Sequence, residues 1–279
     1  MIHKILIVGY GTITKGIINN ISHKSSIKIS VWSKNTNIEH EKYICSSNLN
    51  EIIDNTDIIL CCVPDDKASE EVWNNPIIND YVKKNAPYCM ELSTLSYDYI
   101  KLWHKYIKTI SGKPIESPLT GSREGANNGS LSLFVYSEYS KNIKSFLNLF
   151  SRCIYEFEEE GEPTKFKLIY NFWGASMLWQ LSELYGIINN EFCCNNEFVW
   201  KILETDGWMS LICKSIIPHV KKNKFDDVRF KLKYMKKDID YSKIFLENSY
   251  LFECVSDFYD KKVCKDNEEL DYSIVVKEV

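Results

Sequence analysis

Apolar residues follow two rhythms along this chain, one up to about residue 157 and another after it. In the first stretch, short β-rich runs alternate with segments of helical spacing. Residues 4–8 form an apolar run that ends on Gly9-Tyr10-Gly11, and Ile13, Ile17, Ile18 and Ile21 then recur at helical spacing. Residues 27–32, 57–63, 88–92 and 131–136 read as further strands. The run 57–63 is apolar almost throughout and stops at Pro64, as expected of a parallel strand buried on both faces. Strands alternating with helices predict a doubly wound parallel sheet. Residues 158–163, Glu-Glu-Glu-Gly-Glu-Pro, then break the pattern. From Thr164 onward the apolar spacing is helical, in segments 164–192, 195–216 and 228–260, with no strand. The fold class expected is α/β: an N-terminal Rossmann doubly wound sheet over residues 1–160, then an all-α C-terminal domain over 161–279.

Composition sharpens this picture modestly. The 279 residues suffice for two ordinary domains, and 44% are hydrophobic, as in globular proteins. A net charge of −4 gives no global basic excess, so no nucleic-acid partner is expected. The lysine-rich stretch 221–237 reads as a solvated face, as charge runs usually are. No run of about 18 apolar residues exists to span a membrane, and the first residues are too short an apolar run for a signal peptide. Ten cysteines are present, but none are spaced Cys-x-x-Cys, and Cys61-Cys62 and Cys193-Cys194 are adjacent. They read as reduced packing residues of a cytoplasmic protein, with no metal site.

A Gly-x-Gly pair that follows the first strand and opens a helix is a dinucleotide signature. The first glycine permits the tight turn; the second lets the backbone approach the pyrophosphate at the helix N-terminus. Gly9 and Gly11 fill these roles, with the amides of Thr12 and Ile13 beside them. Thr14 stands where a third glycine normally serves helix packing, and Gly16 follows. NAD enzymes place an acidic residue at the end of the second strand to hold the ribose. This chain has Trp32-Ser33-Lys34-Asn35-Thr36 there and no acidic residue before Glu39. Ser33 and Lys34 suit a 2′-phosphate, so NADPH/NADP+ is the cofactor expected.

At these residues the sequence resembles the β-hydroxyacid dehydrogenases, of the 3-hydroxyisobutyrate dehydrogenase and tartronate semialdehyde reductase types. Gly9-Tyr-Gly-Thr-Ile-Thr-Lys-Gly-Ile-Ile-Asn-Asn-Ile21 is similar to that family's opening G-L-G-x-M-G-x-x-M-x-x-N-L. Ser33-Lys34-Asn35 resembles its N-R-T, and Glu91-Leu-Ser-Thr94 its D-x-S-T. Ser117-Pro-Leu-Thr-Gly-Ser-Arg-Glu-Gly-Ala-Asn-Asn-Gly-Ser-Leu131 resembles its substrate motif. Lys167 to Asn171 matches K-x-x-x-N, Phe230 to Ile239 is similar to F-P-L-x-x-M-x-K-D-L, and Asp271-Tyr-Ser-Ile-Val275 resembles D-x-S-A-V. The departures are Thr14, Thr120 for a serine, Ser122 for a glycine, a shortened glycine lead into the catalytic helix, and Trp173 and Trp179 on that helix.

The resemblance implies roles. Lys167 is the expected proton donor, with Asn171 four residues on and so on the same helix face. Lys165 lies six residues from Asn171 and faces elsewhere. Thr120, Gly121 and Ser122 offer hydroxyls and open backbone amides for a substrate carboxylate. Val63, Pro64 and Thr94 are expected beside the cofactor, and Lys237 is expected to reach it from the helical domain. The activity implied is NADPH-dependent interconversion of a small carboxylate-bearing semialdehyde or ketone with its β-hydroxyacid, by a homodimer. Two other readings stand beside it: an NADPH-dependent imine reductase on the same scaffold, and an NADP-binding scaffold without catalysis. Imine reductases often carry Asp or Tyr at the position of Lys167.

Overall fold

The computed structural model describes residues 2–33 and 38–277. They form two compact units divided after Lys167.

Seven strands of the first unit make one sheet: β1 (Lys4–Val8), β2 (Lys28–Trp32), β3 (Ile38–His40), β4 (Tyr43–Ser46), β5 (Ile58–Cys61), β6 (Tyr88–Glu91) and β7 (Lys113–Glu116). Their order is β3-β4-β2-β1-β5-β6-β7. All neighbours are parallel except β3, which runs antiparallel to β4. A second sheet joins β8 (Leu119–Thr120), β9 (Leu131–Val135) and β10 (Ser151–Glu156), with β9 in the middle. The helices of this unit are α1 (Thr12–Lys24), α2 (Asp66–Trp73), α3 (Pro76–Asn85), α4 (Tyr97–Thr109), α5 (Ser122–Asn127) and α6 (Ser140–Leu147).

Strand periodicity explains the layering. Ile5, Ile7, Ile58 and Leu60 point into one core with Ile17, Ile21 and Ala126. Leu6, Val8, Ile59 and Cys61 point into the opposite core with Trp73, Trp103 and Ile107. Successive side chains face opposite ways, so a strand covered on both faces must be apolar at every covered position, as Ile5–Val8 of β1 and the whole of β5 are. Cys61 and Cys89 are packing residues, and burial pushes both thiols up, away from thiolate formation.

Helix α7 (Glu162–Glu191) begins in the first unit, and its larger part belongs to the second. The second unit adds α8 (Asn196–Thr205), α9 (Ser210–Lys221), α10 (Leu232–Leu246), α11 (Tyr250–Lys262) and a 3-10 turn, Tyr272–Val276. Its core contains Phe172, Leu178, Trp200, Ile216, Met235, Val255 and Tyr259. The segments expected at 195–216 and 228–260 are each two helices. The first is interrupted around Gly207, whose φ of +80° favours glycine. The second is interrupted before Ser249, whose side chain accepts from the Phe252 amide and so caps α11.

The terminal motif proves to be a clasp. Asp271 is fully buried and accepts from the Arg229 amide at 2.8 Å, the Arg229 guanidinium at 2.9 Å and the Ser273 hydroxyl at 2.6 Å. Among the described residues, no helix is long and apolar enough to cross a membrane, and no cluster of His, Cys, Asp or Glu could hold a metal.

Candidate functional site

The turn after β1 is built around two glycines with different reasons to be glycine. Gly9 has φ +94°, and a Cβ there would lie 2.5 Å from the carbonyl oxygen of Cys62. Backbone crowding therefore excludes any side chain. At Gly11 a Cβ would meet nothing within 4 Å. Here glycine leaves open space at the start of α1, where a pyrophosphate approaches in this fold. First-turn amides of a helix have no acceptor within the helix, which leaves those of Thr12 and Ile13 for an anion. The Gly11 amide is spoken for: it donates to Thr14 Oγ1 at 2.9 Å, and that hydroxyl donates back to the Gly11 carbonyl at 3.1 Å. Thr14 thus braces the turn.

The packing role of the third glycine passes to Gly16. A Cβ there would sit 2.5–2.8 Å from the backbone and Cβ of Ala126 in α5. One turn on, the side-chain amide of Asn20 donates to the carbonyls of Gly16, Ala126 and Asn127 at 2.9, 2.9 and 3.1 Å. The phosphate-binding helix is therefore bolted to the segment that follows Thr120-Gly121-Ser122. Sequence reasoning gave neither Gly16 nor Asn20 a role, although Asn20 stands in the opening motif. Gly121 and Ser122 are exposed with φ of +128° and +52°. The second is the strained left-handed region for a residue with a Cβ.

Ser33, Val63 and Ser93 follow the carboxyl ends of β2, β5 and β6, on the sheet edge where Gly9 follows β1. The Ser93 hydroxyl accepts from the Val63 amide at 2.8 Å, tying two of these loops together. Beneath them lies Glu91, fully buried. It accepts from Ser69 at 2.7 Å, the Trp73 indole at 2.8 Å and the Ser93 amide at 3.1 Å. Burial holds its carboxyl above the usual range, although these three donors oppose that shift. Glu91 is a second residue that the motif contained without a role; the structure makes it the anchor of the Ser93-Thr94 loop. Pro64 is exposed and Thr94 half-buried on the same edge, as Thr120 is after β7. The structure thus brings Gly9, Gly11, Thr12, Ile13, Ser33, Val63, Pro64 and Thr94 to one edge. Lys34 lies outside the described residues.

On α7, Lys167 is buried and Lys165 exposed. Within the second unit, Asn171 donates its side-chain amide to Asp238 Oδ2 at 2.6 Å. Asp238 is buried and pairs through Oδ1 with Lys237 at 3.1 Å. The Lys237 ammonium also lies 4.9 Å from the centre of the Tyr241 ring.

Comparison with known proteins agrees with this geometry. Residues 4–157 match the model of the NAD-binding domain of 6-phosphogluconate dehydrogenase. A curated relative, the cytokine-like nuclear factor N-PAC of Mus musculus, is 23% identical over 183 residues. That match covers 64% of this chain and 33% of the relative, so the chain spans about a third of the curated relatives' length. A 3-hydroxyisobutyrate dehydrogenase from Salmonella typhimurium is 13% identical with a TM-score of 0.83, covering 98% of this chain and 99% of that one. An imine reductase from Myxococcus stipitatus in complex with NADP+ is 10% identical with a TM-score of 0.61, covering 98% of each. The chain belongs to the family defined by the NAD-binding domain of 6-phosphogluconate dehydrogenase, and its whole fold is that of the 3-hydroxyisobutyrate dehydrogenase type of β-hydroxyacid dehydrogenase.

Proposed function

We propose that this protein is an NADPH-dependent reductase of small carboxylate-bearing semialdehydes or ketones, working reversibly on the corresponding β-hydroxyacids. The observation that carries this reading is the burial of Lys167 on α7, while Lys165 two residues away is exposed. Burying an ammonium is costly, and chains accept that cost most readily where the charge has a chemical task.

The chain's own groups divide the work. The space at Gly11 admits the pyrophosphate, and the amides of Thr12 and Ile13 bind it. Ser33 and Lys34 meet the 2′-phosphate. Val63, Pro64 and Thr94 line the nicotinamide half, and Lys237 contributes a cation to the same cofactor. The bound nicotinamide supplies the hydride. Thr120, Gly121 and Ser122 hold the substrate carboxylate, and the strain at Ser122 fixes their amides in one arrangement. Lys167 delivers the proton to the carbonyl oxygen as it gains negative charge, and Asn171 orients the lysine or the substrate. Exposed Phe198, Trp208 and Leu211 in the second unit support assembly as a homodimer.

The test is turnover with NADPH on three matched compounds: a small aldehyde acid, its methyl ester and a cyclic imine. Losing a charge-assisted contact costs about 1.5–3 kcal/mol, so the acid should exceed its ester by roughly 10- to 100-fold. Equal turnover of acid and ester, with the imine reduced faster than both, would favour the imine reductase reading. A non-catalytic NADP-binding scaffold would instead bind the cofactor and turn over none of the three.

A further inference from the structure

Strand β7 ends on Glu116, a fully buried carboxylate that the mechanism above does not use. Its Oε2 accepts from the Gly161 amide at 2.8 Å, and its Oε1 accepts from the Thr164 amide at 2.8 Å. Its third partner is Nε2 of His104 on α4, at 2.9 Å. Gly161 and Thr164 are the residues on which α7 starts. Glu116 is therefore an N-cap supplied by the sheet, 45 residues upstream of the helix it caps. A cap normally comes from the residue beside the helix; in this chain the lead into α7 retains only Gly161.

The surroundings lock the same point. Gly161 has φ +89°, and a Cβ there would lie 2.9 Å from the Tyr97 ring and 3.0 Å from Lys101, so the chain passes flush against α4. His104 is itself fully buried, and its Nδ1 faces the Glu160 carboxylate at 3.9 Å. Glu160 is held in turn by Lys108 at 3.2 Å. Partial burial works to raise its carboxyl, but Lys108 and His104 bring it below the usual range.

Both oxygens of Glu116 face backbone N–H groups, which only donate. An ionised carboxylate satisfies both at once. A glutamine cannot, because its NH2 end would confront one of them. The two-point grip fixes where α7 begins, and hence the direction in which it presents Lys167, three residues beyond Thr164. A slip of one residue at the start would turn Lys167 by about 100° and shift it by about 1.5 Å. Displacements of about 1 Å can cost on the order of 100-fold in rate. We propose that Glu116 is a positioning residue for Lys167: its carboxylate sets the register of α7 and so the placement of the proton donor. This inference rests on the reading of Lys167 as that donor.

The test uses the full chain with NADPH bound, as wild type, Glu116→Gln and Glu116→Asp. Two quantities are read: kcat on an aldehyde acid, and the rate at which an N-hydroxysuccinimide ester acylates Lys167, with Lys165 in the same peptide region as internal standard. Glu116→Gln should lower kcat by about tenfold or more and raise the Lys167-to-Lys165 labelling ratio severalfold, while NADPH affinity stays nearly unchanged. Glu116→Asp, which keeps both acceptors on a shorter arm, should restore part of each effect. An unchanged labelling ratio in Glu116→Gln would overturn the proposal. So would a kcat loss matched by an equal loss of NADPH affinity, which marks general damage to the fold. Lys167→Ala measured alongside separates the two claims: if it keeps full turnover, the donor assignment fails, while the labelling ratio still decides whether Glu116 places Lys167.

Discussion

Asn171 gives its side-chain N–H to the carboxylate of Asp238 at 2.6 Å, and that bond decides which way the amide faces. A carboxylate only accepts, so Nδ2 must point toward Asp238 and Oδ1 away from it. Asn171 is thereby presented as an acceptor, which is what the proposed function asks of it. Asp238→Asn removes that constraint and should lower kcat by about 10- to 100-fold, the scale of a lost charge-assisted hydrogen bond. Steady-state rates of Asp238→Asn, Asn171→Ala and the double variant check this. The double variant should be little worse than Asn171→Ala alone, because both substitutions break one unit.

The two kinds of glycine should separate in experiment. Gly16→Ala pushes a methyl into the backbone of Ala126 and should destabilise the fold by about 1–3 kcal/mol. Gly11→Ala adds a methyl to open space, at a φ of −95° that alanine adopts freely, so its melting temperature should stay near wild type. Its NADPH affinity should fall sharply, because the methyl occupies the path of the pyrophosphate. Thermal melts and cofactor titrations on the two variants give the contrast.

NADPH should bind more tightly than NADH, since β2 is followed by Ser33 and Lys34 rather than by a carboxylate. Lys34→Asp should reverse the order by removing the cation and supplying a ribose acceptor. Fluorescence titration of both cofactors against both proteins measures it.

Stability should depend on acid through Asp271. Burial works to raise this carboxyl, but the hydrogen bonds from Arg229 and Ser273 outweigh it and hold the group below the usual aspartate range. A depressed native value means stabilisation that is complete above the unfolded pKa, about 3.9, and is lost as pH falls through the lower folded value. Asp271→Asn also strands the partly buried Arg229, a type of change that costs about 3–5 kcal/mol. Urea unfolding should show the gap between wild type and variant in full at neutral pH. It should shrink below about pH 4.

How legible each feature is in the sequence follows from where its partners lie. β1 and β5 stand out because burial on both faces makes Ile5–Val8 and Ile58–Cys61 continuous apolar runs. β7, Lys-Pro-Ile-Glu, and β10, Ser-Arg-Cys-Ile-Tyr-Glu, do not, because their polar residues satisfy other constraints or face solvent. Glu116 is the sharp case: its amide partners lie 45 and 48 residues downstream, and no spacing rule connects them. The helical segments of the second unit were readable as helical, but apolar spacing continues across the break at Gly207, which only the turn conformation makes plain. The phosphate turn was legible because its chemistry is local. The transfer of a packing role from Thr14 to Gly16 was not, since it depends on Ala126.

We assign delivery of the proton during hydride transfer to Lys167. The most direct measurement is a single turnover of NADPH-loaded protein with an aldehyde acid, for wild type, Lys167→Ala and Lys165→Ala. Loss of a general acid costs about 100-fold or more. Lys167→Ala should therefore lose that much in the rate of NADPH oxidation while binding the cofactor nearly as well as wild type, and Lys165→Ala should match wild type in both. A Lys167→Ala protein that oxidises NADPH at the wild-type rate, or a Lys165→Ala protein that is the inactive one, would show that Lys167 is not the proton donor.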